Sequence, residues 1–160
     1  QDAVNAVAEG GTVNVAAGNY DEQIDIGKSL VLEGDVGDMS AGPGPNAPVI
    51  NDTSLCDNRT VNINANDVTV EGFIMTTQCI YATIRVANGI TGAQILDNDI
   101  SNNWTAVGLS PNSTGSTVMR NLVHNNVYGI TVGGSQNNTV SNNEVYDNAS
   151  GGILFKCGGE

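Results

Sequence analysis

The chain has 160 residues, 39% of them hydrophobic, and a formal net charge of −12 from 17 acidic and five basic residues. This length suits one domain with a substantial core, and we treat residues 1–160 as a single domain. With so few cations there is no basic patch, which excludes nucleic acid and anionic lipid as expected partners. No apolar run approaches the roughly 18 residues of a membrane span, so we expect no membrane insertion.

The first predicted element is a short N-terminal cap helix over residues 1–9. One helical stripe carries Ala3, Val4, Val7 and Ala8. Gly10-Gly11 then ends the helix. Such a cap would cover the apolar end of the elements that follow and shield strand edges that otherwise invite pairing.

Three short strands are predicted next, over residues 12–15, 23–26 and 30–32. The turns between them are Ala17-Gly18-Asn19 and Gly27-Lys28. Apolar residues two positions apart share one face of a strand, which is the spacing seen here.

Residues 35–50 are predicted to form a protruding loop. Leu32-Glu33-Gly34 and Val70-Glu71-Gly72 look like the same point of a repeat, yet they are 38 residues apart. Three of the four prolines cluster with glycines in the excess length, which is typical of a surface insertion. We expect the insertion to contact a substrate or neighbouring molecules, with a tolerated, idle insertion as the alternative.

An internal repeat runs from Ile95 to Phe155. Its three coils read ILDNDISNNWTAVGL, VMRNLVHNNVYGITV and VSNNEVYDNASGGILF, and they begin at Ile95, Val118 and Val140, 23 and 22 residues apart. A repeat of this period indicates a solenoid. The asparagines that recur in these coils are too close together for a helix of ordinary length to fit between them, so each coil must consist of short strands and turns.

Asparagines recur at two offsets in these coils. Three residues after the first apolar residue stand Asn98, Asn121 and Asn143, and eight residues after it stand Asn103, Asn126 and Asn148. Stacked coils would place each set in an inward ladder of amide hydrogen bonds that also satisfies the backbone at the bends. Phe73 replaces asparagine at the first offset, so this ladder either starts one coil later or gives way there to an aromatic stack.

A coil of this length buries its inward side chains only by stacking on its neighbours, with parallel strands about 4.8 Å apart. We therefore predict an all-β fold: a parallel β-helix of about six coils with a short N-terminal cap helix.

The repeat resembles that of the right-handed parallel β-helices found in pectate lyases, NosD-like periplasmic maturation proteins and many archaeal surface proteins. The segments VNVAAGNY and KSLVLEG, which begin at Val13 and Lys28, match the way that family opens. The resemblance implies the fold for nearly the whole chain. It is weak for function, because one solenoid hosts lyases, hydrolases, adhesins and structural proteins.

The three cysteines are Cys56, Cys79 and Cys157, with no Cys-x-x-Cys pair and one histidine in the chain, so a tetrahedral zinc site is not expected. Cys56 and Cys79 are about one coil apart, and stacking would bring them within reach of an intrachain disulfide. Cys157 would then remain for a bond to another chain. Three reduced, partly buried thiols are the alternative.

Six asparagines satisfy Asn-x-Ser/Thr: Asn51, Asn58, Asn103, Asn112, Asn137 and Asn148. Asn103 and Asn148 belong to the predicted ladders and would point inward. The glycosylation candidates are therefore Asn51, Asn58, Asn112 and Asn137, and the possible glycans suit an extracellular location.

The best candidates for acid–base chemistry are Asp97, Asp99 and Arg120, since lyases and hydrolases of this fold use clustered carboxylates and a basic residue. The coil alignment, however, places Arg120 next to Asp97, so a surface salt bridge explains that pair without catalysis. His124 aligns with Ser101 and Tyr146, has no aligned carboxylate, and is predicted to point outward. We therefore do not expect an enzyme.

Cofactors are not expected either. Two further acidic groups are Asp21, Glu22 and Asp25, and Asp35 with Asp38. Their spacing is that of turn residues rather than of a calcium loop, and loose divalent cation binding is the most that it supports.

Three functional hypotheses follow. The first is an extracellular structural protein of a cell-surface layer, sheath or filament, which forms a homopolymer through its β-helix edges. The second is a carbohydrate-active enzyme or a carbohydrate-binding β-helix, for which Trp104 and Tyr128 would supply a sugar-stacking face. The third is a fragment of a larger surface protein or adhesin, whose C-terminal edge is covered by other residues.

Overall fold

The computed structural model describes residues 1–37, 41–52, 59–77 and 81–156. In this part of the chain a short helix, α1 (Asp2–Ala6), precedes six coils of three strands each. The first three coils contain β1 (Thr12–Asn14), β2 (Asn19–Tyr20), β3 (Ile24–Ile26), β4 (Val31–Glu33), β5 (Val49–Ile50), β6 (Val61–Ile63), β7 (Thr69–Glu71), β8 (Ile74–Thr76) and β9 (Ala82–Val86). The last three contain β10 (Gln94–Leu96), β11 (Asp99–Ser101), β12 (Thr105–Leu109), β13 (Thr117–Met119), β14 (Leu122–His124), β15 (Tyr128–Gly133), β16 (Thr139–Ser141), β17 (Glu144–Tyr146) and β18 (Gly151–Lys156).

Equivalent strands of successive coils pair in parallel and form three six-stranded sheets. Sheet A is β1-β4-β7-β10-β13-β16, sheet B is β2-β5-β8-β11-β14-β17, and sheet C is β3-β6-β9-β12-β15-β18. The predicted all-β solenoid of about six coils is therefore confirmed. The register also confirms the alignment of the repeats, because Ile95 pairs with Val118 and Val118 with Val140.

The core lies inside the coils, where every second side chain of a strand points inward. Val70, Ile95 and Val118 stack on one another in sheet A and are fully buried. Met75 and Ile100 do the same in sheet B. Each such side chain contributes about 1.5–3 kcal/mol by leaving water, but only when a neighbouring coil covers it, so stability depends on the stack.

The N-terminal helix is shorter than predicted. It has five residues and ends at Ala6, because Val7 adopts an extended conformation (φ −62°, ψ 146°) and packs against the core. Val4 is buried, whereas Ala3 and Ala8 are exposed, so the predicted apolar stripe is correct for its valines only. The Lys28 ammonium group fixes this end of the helix by donating to the carbonyls of Asn5 and Val7.

The loop predicted over residues 35–50 does not simply protrude. Val49 and Ile50 form β5, in line with β2 and β8. The described residues before it fold back along the corner between sheets A and B, where the Gly42 N–H donates to the Arg120 carbonyl at 2.8 Å, three coils further along. Gly72 (φ +80°) permits this path, because a Cβ there would lie 2.8 Å from the backbone of Asp35. The insertion thus links the second coil to the fifth.

Candidate functional site

The first asparagine ladder is present and joins three coils. The backbone N–H and the side-chain amide of Asn98 both donate to Asn121 Oδ1 at 3.1 Å, and the same two groups of Asn121 donate to Asn143 Oδ1 at 2.9 Å. The Phe73 N–H donates to Asn98 Oδ1 at 3.1 Å. Of the two alternatives at Phe73, the ladder therefore starts one coil later, with Asn98 bonded to the phenylalanine backbone.

The second ladder repeats this arrangement at the corner between sheets B and C. Asn103 donates twice to Asn126 Oδ1, at 3.0 and 3.1 Å, and Asn126 donates twice to Asn148 Oδ1, at 3.1 and 3.0 Å. The Thr77 N–H and hydroxyl donate to Asn103 Oδ1 at the start of the ladder. The bonds between asparagines are directional in both ladders, because each Oδ1 accepts from the preceding coil. The side-chain amides of Asn98, Asn121 and Asn126 donate in addition to a backbone carbonyl of the preceding coil.

Asp97 and Arg120 form a two-bonded ion pair at the corner between sheets A and B. Arg120 Nε donates to Asp97 Oδ1 at 2.8 Å, and Arg120 Nη2 donates to Oδ2 at 2.6 Å. The Asp97 side chain is only 1% exposed, so this is not the surface salt bridge that the sequence suggests. Both carboxylate oxygens are occupied by the guanidinium group, and the pair is better suited to joining coils than to acid–base chemistry.

Glu71 lies beside this pair on the outer face of sheet A, aligned with Glu33. Burial raises the pKa of Glu71, the charges of Glu33 and Asp97 raise it further, and Arg120 lowers it. The ionised Glu71 carboxylate is therefore disfavoured in the folded protein relative to the unfolded chain.

We expect Glu71→Gln to raise the free energy of unfolding at pH 7 by less than about 1 kcal/mol. The folded-state pKa lies above the unfolded value, so the cost of ionised Glu71 is present above the folded pKa and is relieved as the pH falls through it. Urea unfolding of both proteins from pH 7 to below 4.5, the ordinary pKa, should show the difference vanishing on acidification. Glu144→Gln, at an exposed position of sheet B, is the control, and a pH-independent difference would contradict the assignment.

His124 is paired with a carboxylate that the sequence alignment does not reveal. It aligns with Ser101 and Tyr146, as predicted, but its Nε2 lies 3.1 Å from Asp99 Oδ1, on the preceding coil and two residues along the chain from Ser101. Tyr146 stacks on the imidazole ring at 5.0 Å between centroids. Burial raises the pKa of Asp99, and the charge and hydrogen bond of His124 lower it.

This group is not a serine–histidine–aspartate triad among the described side chains. Ser101 Oγ accepts a hydrogen bond from Asn102, and His124 Nδ1 is buried without a hydrogen-bond partner. The histidine does face outward on sheet B, although it is largely covered. Its partner Asp99 aligns with Leu122 rather than with His124, so aligning the coils does not reveal the pair.

The remaining acidic candidates hold turns and strands together. Asp35 accepts a hydrogen bond from the Asn46 N–H, Asp25 accepts one from Asn62, and Glu22 is paired with the amino group of Gln1. Asp38 lies outside the described residues. Among the residues that the structure describes, no three His, Cys, Asp or Glu side chains are arranged to hold a metal ion.

The glycosylation candidates differ in accessibility. Asn51, Asn112 and Asn137 are exposed, as a modified asparagine must be, and Asn58 lies outside the described residues. Cys56, Cys79 and Cys157 also lie outside them, so both disulfide hypotheses stay predictions. In the described residues no helix has the length and apolar character needed to cross a membrane.

The C-terminal coil presents an apolar surface. Ile153 and Phe155 align with the buried Ile130 and Val132 of the preceding coil, so they are interior-facing side chains. Ile153 is 44% exposed and Phe155 75% exposed, because no described residue stacks on them. The outer edges of β16, β17 and β18 likewise pair with no strand of the described chain.

The opposite end of the solenoid is only partly closed. The side chain of Gln1 pairs with the edge of β3, accepting from the Asp25 N–H at 2.8 Å and donating to the Asp25 carbonyl at 3.1 Å. Beside α1 lies a partly open cavity of about 340 Å³. Its apolar lining includes Val4, Val13, Ile24, Leu32, Ile50 and Phe73.

Three parallel sheets wound into one stack, with asparagine ladders at the corners, define this chain as a parallel β-helix. The family model described as a right handed beta helix region matches residues 49–160, more than half of the chain, and the protein belongs to that family. The comparisons gave no matching curated protein and no matching solved structure.

Proposed function

We propose that this protein is a structural component of an extracellular surface layer, sheath or filament, and that it polymerises end to end through its β-helix. The observation that carries the proposal is the complementarity of its two ends. One end exposes Ile153 and Phe155, and the other contains an apolar-lined cavity of about 340 Å³. A patch that fits a pocket elsewhere on the same molecule makes a heterologous contact, which repeats into an open filament.

Strand pairing can strengthen this contact at two of the three sheets. The outer edges of β16 and β17 meet no strand in the described chain, and the edges of β1 and β2 lie at the other end of their sheets. At sheet C the side chain of Gln1 already occupies the Asp25 backbone. Continuous pairing of sheet C between copies therefore requires Gln1 and α1 to move.

Two further features support the proposal, the first for the extracellular location and the second for the assembly. The exposed asparagines Asn51, Asn112 and Asn137 satisfy the glycosylation pattern. The net charge of −12 keeps single molecules soluble and makes assembly dependent on a specific contact. Glycan analysis of protein isolated from its source tests this part of the proposal separately.

Variants at the two ends test the assembly. We expect the wild-type chain to form linear filaments in electron micrographs and to sediment as a concentration-dependent series of oligomers. Phe155→Asp should leave monomers, because a carboxylate in the apolar cavity would lose its hydration. Ala16→Trp, at an exposed position that lines the cavity, should have the same effect. Val36→Asp changes an exposed apolar residue away from both ends and is the control.

The pattern of results separates this proposal from its alternatives. A dimer abolished by Phe155→Asp but unaffected by Ala16→Trp would show that two C-terminal coils meet each other, and no filament would follow. A wild-type chain that remains monomeric at all concentrations would contradict end-to-end polymerisation and favour a C-terminal coil that other residues cover.

A further inference from the structure

The last coil carries ladder donors that have no acceptor in the described chain. In the coils before it, the N–H and side-chain amide of a ladder asparagine both donate to the asparagine Oδ1 of the next coil. The N–H groups of Asn143 and Asn148 donate to no described residue, although their side-chain amides bond to backbone carbonyls. We call these two N–H groups the terminal donors.

The terminal donors belong to a surface that continues the interface between coils. Asn143 and Asn148 are five residues apart, as are Asn121 and Asn126, which donate to them. The same coil exposes inward-facing apolar side chains, of which Phe155 is 75% exposed, and its strands have open outer edges. A segment that binds here therefore has to supply strand edges, apolar side chains and two oxygens at a fixed spacing.

The N-terminal end of a second copy supplies no side-chain oxygen at the first ladder. Ala16 follows Val13 by three residues, and the register carries Val13 through the second and third coils to Ile95. Ala16 therefore occupies the first-coil position of Asn98. An end-to-end contact would cover the Asn143 N–H without giving it the oxygen that such a donor receives inside the stack, and a buried unpaired donor costs free energy.

The second ladder is matched better by a second copy. Gln23 follows Tyr20 by three residues, and the register carries Tyr20 to Ile100, so Gln23 occupies the first-coil position of Asn103. Its amide nitrogen donates to Asp52 of the second coil at 3.0 Å, in the direction that the bonds between asparagines follow. The N-terminal end of a second copy thus offers a side-chain amide to one of the two terminal donors.

We infer that the C-terminal end is a docking site for a coil-length segment of a second β-helix protein, and that this segment carries two asparagines five residues apart. An extended segment adds to open strand edges through main-chain hydrogen bonds, and alternate side chains give specificity. Its inward side chains cover Ile153 and Phe155, and its two Oδ1 atoms accept from both terminal donors. A second copy of this chain matches only one of them, so the asparagine-bearing segment binds more tightly. The inference uses the end assigned to polymerisation and holds whether or not filaments form.

Fluorescence anisotropy of a labelled peptide with the sequence of residues 118–132 tests this inference, because the peptide contains Asn121 and Asn126 at the required spacing. The protein carries Ala16→Trp, which obstructs the cavity at the opposite end and prevents polymerisation, and its fold is checked by circular dichroism. We expect saturable binding. In the peptide, Asn121→Ala and Asn126→Ala should each weaken the affinity by about tenfold, since each oxygen accepts two hydrogen bonds.

Matched controls are available in the peptide and in the protein. Asn125→Gly in the peptide changes an asparagine that is exposed in its own coil, and glycine keeps the left-handed conformation of φ 56°. This change should alter the affinity by less than about twofold. In the protein, Phe155→Asp should abolish binding and Val36→Asp should leave it unchanged.

The outcomes for docking and for polymerisation are separate. Absence of saturable binding by the folded Ala16→Trp protein would overturn the inference, and so would an equal affinity for the peptide that lacks both ladder asparagines. Peptide binding by a chain that never forms filaments would support docking and contradict polymerisation, whereas filaments without peptide binding would do the reverse. Where wild-type filaments form, the peptide should shorten them, because it satisfies both terminal donors.

Discussion

Replacing Asn121 by Ala is expected to lower the free energy of unfolding by about 3–5 kcal/mol, since several buried polar groups lose their partners together. Asn121 Oδ1 accepts both donors of Asn98, and its amide donates to the carbonyls of Ile95 and Met119. The residue is fully buried, so water cannot replace these bonds without entering the core.

Urea unfolding followed by circular dichroism measures the effect. Stacked repeats need not unfold in one step, so the variants are compared only where the free energy of unfolding falls with urea at the same slope as in the wild type. Asn64→Ala makes the same chemical change at an exposed position and should alter stability by less than about 0.5 kcal/mol. Asn143→Ala, at the last described member of the same ladder, should fall between the two. Equal losses at Asn121 and Asn64 would show that the ladder contributes nothing beyond ordinary surface hydrogen bonds.

Replacing Arg120 by Met is expected to cost about 3–5 kcal/mol, because the Asp97 carboxylate stays buried without its partner. Methionine keeps the unbranched stem, and the Arg120 carbonyl that accepts from Gly42 belongs to the backbone and is retained. The loss of stability in Arg120→Met therefore measures the ion pair with Asp97 and not the backbone hydrogen bond between Gly42 and Arg120.

The double variant Asp97→Asn with Arg120→Met should recover most of that stability, since replacing both members of a buried pair is often nearly neutral. Asparagine suits position 97, where the backbone is left-handed with φ 53°. A double-mutant cycle from urea unfolding gives the coupling energy between the two side chains. A coupling below about 1 kcal/mol, typical of exposed pairs, would contradict the structural role assigned to this pair.

The solenoid and its ladders are predictable from the sequence because a repeat exposes the pairs of residues that stack. Asn98 and Asn121 occupy the same offset of consecutive coils, and equal offsets become neighbours in the structure. The same logic aligns Asp97 with Arg120. Equal offsets do not show how deeply a residue is buried, so the burial of Asp97 is visible only in the structure.

Features outside the repeat are harder to predict. The sequence does not predict β2, because two residues carry too little pattern and Ala17-Gly18-Asn19 reads as a turn. The pairing of His124 with Asp99 is missed because the two residues have different offsets.

The directional bonding of the ladders also governs how such a protein can change in length during evolution. Asn121 and Asn126 donate to the asparagine oxygen of the following coil, and their own oxygens accept from the coil before them. A tandem duplication of one whole coil would therefore satisfy both neighbours as its parent did. A gene can thereby lengthen the rod in steps of about 4.8 Å. A duplication that shifts a strand by one residue would turn its inward side chains outward, so an extra segment of another length has to lie in a loop between strands.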